Sequence, residues 1–96
     1  MKKYILVTGA SSGIGRQTVV ELAKNSSYII FATIRKREDK ALIERVSKNV
    51  KGVYLDITNK ASVLKALKFI TSKTKVLDVI VNSAGIATAG PLELLN

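Results

Sequence analysis

The chain is 96 residues long, about the size of one small domain, and its 47% hydrophobic and 24% charged residues have the balance of a globular protein. It has neither cysteine nor histidine, which excludes a disulfide framework, a thiol redox switch and any metal site built on thiolate or imidazole. Sixteen Lys and Arg against seven Asp and Glu give a net charge of +9, but the basic residues are dispersed and lack interleaved aromatics, which argues against a nucleic-acid surface.

The opening M-K-K-Y-I-L-V resembles the charged start of a signal peptide, but Thr8 and Gly9 interrupt its apolar run at once. No stretch approaches the roughly 18–20 apolar residues needed to span a bilayer. The expectation is a soluble, cytoplasmic protein.

Lys3–Thr8 is a nearly continuous apolar run ending at a Gly-rich loop, as expected of a strand buried on both faces. From Ile14 to about Lys24, Val19, Leu22 and Ala23 recur at helical spacing, and Asn25-Ser26-Ser27 breaks the pattern. Tyr28–Ile34 reads as a second strand, rich in β-branched and aromatic residues. Arg37 to about Lys48 reads as an amphipathic helix with Leu42, Ile43 and Val46 on one face. Gly52–Leu55 is a short third strand ending at Asp56. Thr58 or Asn59 is placed to cap the next helix, with Val63, Leu64, Leu67 and Ile70 as its inward stripe. Val76–Val81 is a fourth strand, and Pro91 sits where a further helix can begin. The pattern βαβαβαβ predicts an α/β fold, a Rossmann-like parallel sheet with alternating helices, truncated after the fourth strand.

Between the first strand and helix lies V-T-G-A-S-S-G-I-G, Val7 to Gly15. Free N–H groups of a helix's first turn, added to the helix dipole, make a site for a pyrophosphate. Gly9 permits the sharp exit from the strand, Gly13 a close backbone approach to phosphates, and Gly15 close packing of helix on strand. Ser11 and Ser12 add hydroxyl donors, and Ile14 opens the helix. An ordinary Gly/Ser turn is the alternative, but a strand–loop–helix context inside a βαβ unit favours the nucleotide reading.

The spacing T-G-x-x-x-G-x-G is similar to the cofactor loop of the short-chain dehydrogenase/reductase family. L-D-I-T at Leu55–Thr58, V-N-S-A-G at Val81–Gly85 and G-P-L-E at Gly90–Glu93 resemble that family's later motifs, in order and each in its own place. The resemblance covers residues 1–96 as a partial NAD(P)-binding Rossmann domain, the first part of a typical member. It implies that Asp56 accepts from the adenine amino group, that the Ile57 N–H reaches an adenine ring nitrogen, and that Asn82, Ala84 and Gly85 line a cofactor ribose. A helix-capping role for Asp56 and a structural role for Asn82 are the competing readings. Ser83 departs from the family's N-N-A-G.

An NAD site usually has a carboxylate at the end of the second strand, for the ribose 2′-hydroxyl. Here Ile34-Arg35 falls at that place, and a guanidinium suits a 2′-phosphate, so NADP is expected over NAD. Arg16, Lys36 and Arg37 are further candidates for the same phosphate.

The family's proton donor is the tyrosine of Y-x-x-x-K. Tyr4, Tyr28 and Tyr54 are followed at the fourth position by Thr8, Ala32 and Thr58, so no catalytic residue is assigned in these 96 residues. Two readings follow: the cofactor-binding part of an NADP(H)-dependent oxidoreductase, or a non-catalytic nucleotide-binding module or truncated remnant. The F-A-T-I-R and G-P-L-E wording resembles that of family members acting on steroids, retinoids or other hydrophobic carbonyls, and the resemblance implies a substrate of that class. An open apolar edge on the fourth strand is expected to promote self-association.

Overall fold

The computed structural model describes residues 1–10, 13–82 and, as backbone, 86–93. Its elements run β1 (Lys3–Thr8), α1 (Gly13–Ala23), β2 (Tyr28–Ile34), α2 (Asp39–Glu44), β3 (Val50–Tyr54), α3 (Lys60–Lys73), β4 (Val76–Asn82) and β5 (Ile86–Glu93). They form one sheet in the order β3-β2-β1-β4-β5. The first four strands are parallel, as the alternating pattern predicts, and β5 runs antiparallel to β4.

The chain winds outward from β1 to β3 and then returns through α3 to β4, on the other side of β1. Crossovers of one hand carry α3 to the opposite face from α1 and α2 when the direction of winding reverses. The core is accordingly in two layers. On one face Ile5, Val7, Ile30, Ala32 and Ile34 pack against Val19 and Ala23 of α1 and Ile43 of α2. On the other, Phe31, Val53 and Leu77 pack against Ala66 and Ile70 of α3. β2 is buried on both sides, which is why its sequence is apolar without alternation.

Three local expectations are corrected. α2 is confined to Asp39–Glu44, shorter than Arg37 to Lys48, and Leu42 is exposed while Ile43 is buried. The chain leaves the helix early because β3 begins at Val50, two residues before the predicted Gly52, where Val50 pairs with Ile30 and is buried. On α3 the buried stripe is Ser62, Ala66 and Ile70, whereas Val63, Leu64 and Leu67 are exposed. Two polar contacts set that rotation. Asn59 caps the helix by accepting from the Ser62 N–H at 3.2 Å, and the Ser62 hydroxyl accepts from the Asp56 N–H at 2.8 Å. Small Ser62 and Ala66 then let the helix lie close to the sheet.

The largest correction concerns residues 86–93. A helix beginning at Pro91 was expected, and with it an open edge on β4. Instead β5 pairs along β4 from Asn82↔Ile86 to Val76↔Glu93. An unpaired strand edge offers a row of N–H and C=O groups to any extended segment, and here the chain's own continuation satisfies them. The register shifts between Leu77↔Leu92 and Val79↔Ala89, so β5 has one extra residue in the stretch containing Gly90 and Pro91. A bulge on an edge strand is where a residue without an N–H is tolerated. The proposed route to self-association through β4 is therefore closed. Among the described residues, no helix is long and apolar enough to cross a membrane.

Candidate functional site

Four parallel strands bring their carboxyl ends to one side of the sheet, and the β1–α1 loop leaves from its middle. β1 is also where the winding reverses, between neighbours β2 and β4. In open α/β sheets the crevice at such a reversal is where ligands bind.

The loop's backbone conformation depends on glycine. Gly9 has φ 64° and Gly13 φ 62°, both in the left-handed region that side-chain-bearing residues rarely adopt. Gly13 is exposed, and no described atom lies within 4 Å of where a Cβ would stand, so its surface is open to a ligand. Gly15 differs. It is buried, and a Cβ there would overlap the Gly9 carbonyl and crowd the Ala10 Cα. Gly13 is therefore needed for its conformation, and Gly15 for the approach of helix to loop.

β2 anchors the same loop. The Gly9 N–H donates to the Thr33 hydroxyl at 3.0 Å, and the Ala10 N–H donates to the Thr33 carbonyl at 2.8 Å. Thr33 is buried, and the sequence reading did not single it out. A hydroxyl in an otherwise apolar strand was the available signal. Helix α1 starts at Gly13 with no acidic residue in its first turn, so its positive end is not neutralised locally. Ile14 is 72% exposed beside this end. Ser11 and Ser12 lie outside the described residues.

Arg35 directly follows β2 and is exposed. Asp56 lies two residues beyond Tyr54, which pairs with Ile34, so the two residues stand at adjacent strand ends. Asp56 Oδ1 accepts from the Thr58 hydroxyl at 2.6 Å and from the Thr58 N–H at 3.0 Å. These bonds, first from the hydroxyl and then from the amide, hold the carboxyl below its usual pKa against slight desolvation, and the Arg35 charge acts in the same direction. Asp56 thus closes a turn onto Thr58, and the helix-capping role expected as its alternative falls instead to Asn59, while the Asp56 carboxylate stays ionised near Arg35. Ile57, 79% exposed, follows it. Arg37 lies with its guanidinium 4.5 Å from the centre of the Tyr54 ring, towards the outer edge of β3. Arg16 and Lys36 are exposed.

Asn82 ends β4 opposite Thr8 of β1. The Thr8 hydroxyl lies 3.4 Å from both the Val81 carbonyl and Asn82 Oδ1, which ties the two strand ends together. Ser83, Ala84 and Gly85 lie outside the described residues. Among the described residues no group of three or more His, Cys, Asp or Glu is placed to hold a metal.

The family model described as short chain dehydrogenase matches residues 3–96. The chain is 43% identical over 96 residues to the 3-amino-tetrahydro-pyrrolizinone reductase of Xenorhabdus hominickii, covering 98% of itself and 32% of that protein. It is 36% identical over 84 residues to the 3-oxoacyl-[acyl-carrier-protein] reductase FabG of Escherichia coli, covering 88% of itself and 34% of that protein. Among solved structures it resembles menthone neomenthol reductase from Mentha piperita, with a TM-score of 0.76 and 32% identity, over 90% of this chain and 32% of that one. The chain thus spans about a third of the length of the relatives it matches.

Proposed function

The chain belongs to the short chain dehydrogenase family, and on that premise we propose that it is the cofactor-binding part of an NADP(H)-dependent carbonyl reductase or alcohol dehydrogenase. The observation that carries this reading is the β1–α1 loop. An open left-handed Gly13, a helix end without acidic residues and Gly15 tucked under Gly9 together form a cradle that fits a pyrophosphate.

In this proposal Gly9, Gly13 and Gly15, with the flanking Ser11, Ser12 and Ile14, hold the pyrophosphate through backbone N–H groups and hydroxyls. Arg35 pairs with the adenosine 2′-phosphate, because its guanidinium is exposed where an NAD site has a carboxylate. Asp56, ionised beside it, and the Ile57 N–H meet the adenine edge. Asn82, Ala84 and Gly85 line a cofactor ribose. When bound, the dinucleotide supplies or accepts hydride. This segment's own residues bind and orient it. Proton transfer needs a group that none of its three tyrosines, each without a lysine four residues on, is built to provide. That observation favours a second reading for these 96 residues by themselves, a nucleotide-binding module without turnover.

Titration of the purified chain with NADPH and NADH, followed by nicotinamide fluorescence, tests the proposal. Saturable binding with NADPH preferred supports it. No binding of either nucleotide by a folded chain would sink it.

A further inference from the structure

A hollow of about 190 Å³ lies against β3, the outer strand of the sheet, bordered by Arg37 and Lys40 on the α2 side, Tyr54 of β3, and Lys65 and Phe69 of α3. None of the residues proposed to hold the nucleotide lines it. Its aromatic walls are fixed before anything binds. Phe69 packs edge-on against the buried Phe31, with ring centroids 6.1 Å apart, yet stays 36% exposed. Tyr54 is held under the Arg37 guanidinium. Size narrows the occupant. A site for a whole small molecule is about 300–1,000 Å³, whereas a cavity of about 150 Å³ holds one benzene ring, so this hollow has room for a single side chain.

Charge narrows it further. Lys40 is compensated by Glu44 at 2.8 Å, but among the described residues Arg37 and Lys65 have no carboxylate partner. α3 carries four lysines and no carboxylate, so the field over this flank is positive. Simple strand addition along β3 is obstructed, because the Gly52 N–H already donates to Glu44. Side chains must therefore supply the recognition. We propose that this hollow docks a short acidic segment of another protein, with one aromatic residue seated between Tyr54 and Phe69 and flanking carboxylates on Arg37 and Lys65. An apolar anchor in a preformed hollow, ringed by complementary charge, is the arrangement in which a few residues carry most of an interface's energy. The proposal does not depend on the cofactor assignment.

The probe is a fluorescein-labelled peptide, Glu-Glu-Phe-Glu-Glu with blocked ends, titrated with this chain in about 0.1 M salt, where charges are screened beyond about 10 Å. Nucleotide is left out. Fluorescence anisotropy is expected to saturate at one peptide per chain. Replacing the peptide's Phe by Gly should weaken binding about tenfold or more, and so should Lys65→Glu. Lys48→Glu makes the same change of charge before the start of β3, outside the hollow, and should leave the affinity within about twofold. Both lysines are exposed, so the melts of both variants should match that of the parent; Arg37→Gln repeats the test from the other wall. No saturation by a folded chain, equal weakening by Lys48→Glu and Lys65→Glu, or equal binding of the Gly peptide would overturn the proposal. So would a dimer in sedimentation that Lys65→Glu dissolves, since the hollow would then belong to a second copy of this chain. Because nucleotide is absent, a failed NADPH titration and a failed peptide titration remain separate results.

Discussion

Gly15 lies so close beneath Gly9 that a methyl group on its Cα would overlap the Gly9 carbonyl oxygen. That contact sets the distance between α1 and the loop, and hence where the helix's free N–H groups point. Gly15→Ala is expected to push the loop from the helix, costing about 1–3 kcal/mol of stability and most of the nucleotide affinity. Gly13→Ala meets no such neighbour and incurs only the left-handed penalty, about 1–2 kcal/mol. Melting curves and NADPH titrations on both variants check the pair. Equal nucleotide binding by Gly15→Ala and the parent would contradict the geometry.

Arg35 is the test of cofactor choice. If its guanidinium binds the 2′-phosphate, Arg35→Ala removes a charge-assisted contact of about 1.5–3 kcal/mol, roughly ten- to a hundredfold in NADPH affinity. NADH affinity should change little. A parallel loss for both nucleotides would show that Arg35 acts on the shared part of the molecule or on the fold.

Thr33 holds the loop from beneath. Thr33→Val deletes the acceptor for the Gly9 N–H but keeps the β-branched shape, so about 1 kcal/mol of stability should be lost. Nucleotide affinity should fall with it, and Thr33→Ser should restore both. A valine variant that binds NADPH as well as the parent would remove Thr33 from the loop's support.

Glu44 guards the outer edge of β3. Its Oε2 accepts from the Gly52 N–H at 2.8 Å and from Lys40 Nζ at 2.8 Å. Partial burial raises its pKa, but the Lys40 hydrogen bond, the Gly52 amide and the charges of Lys40 and Lys51 outweigh this and hold it below 4.5. A carboxyl with a depressed folded pKa contributes stability that is fully present above its unfolded value and lost as pH falls through the folded one. Denaturant midpoints should therefore decline below about pH 4.5, and Glu44→Gln should flatten that part of the profile. Glu44→Ala should also free an edge amide and increase association, which light scattering would detect. An unchanged acid limb in Glu44→Gln would assign that limb to other carboxylates.

Much of the fold was legible from period and punctuation. β1 and β2 begin and end at the predicted residues, because runs such as Tyr28–Ile34 are apolar on both faces and end in charged or Gly-rich loops. α3 was legible as a helix but not in its rotation. Val63, Leu64 and Leu67 make the more hydrophobic stripe, yet the Ser62 hydroxyl bonded to the Asp56 amide turns Ser62 inward. A contact between residues in separate elements outranked the local pattern.

In the site, the glycines could be read by themselves, since φ and close approach are constraints on single residues. Thr33 could not. Its importance lies in receiving two backbone N–H groups from residues 24 and 23 positions earlier in the chain, Gly9 and Ala10.

The order of residues alone thus determined the alternating elements, the parallel sheet and the glycine loop, because periodicity, turn chemistry and backbone conformation act within a few residues. Only tertiary structure decided which side of α3 is buried, what anchors the loop and what pairs with β4. Each of those depends on groups distant in sequence competing for one hydrogen bond or one surface. For residues 86–93 the competition was won by the open edge of β4, and Pro91, which locally suits a helix start, lies instead in a strand.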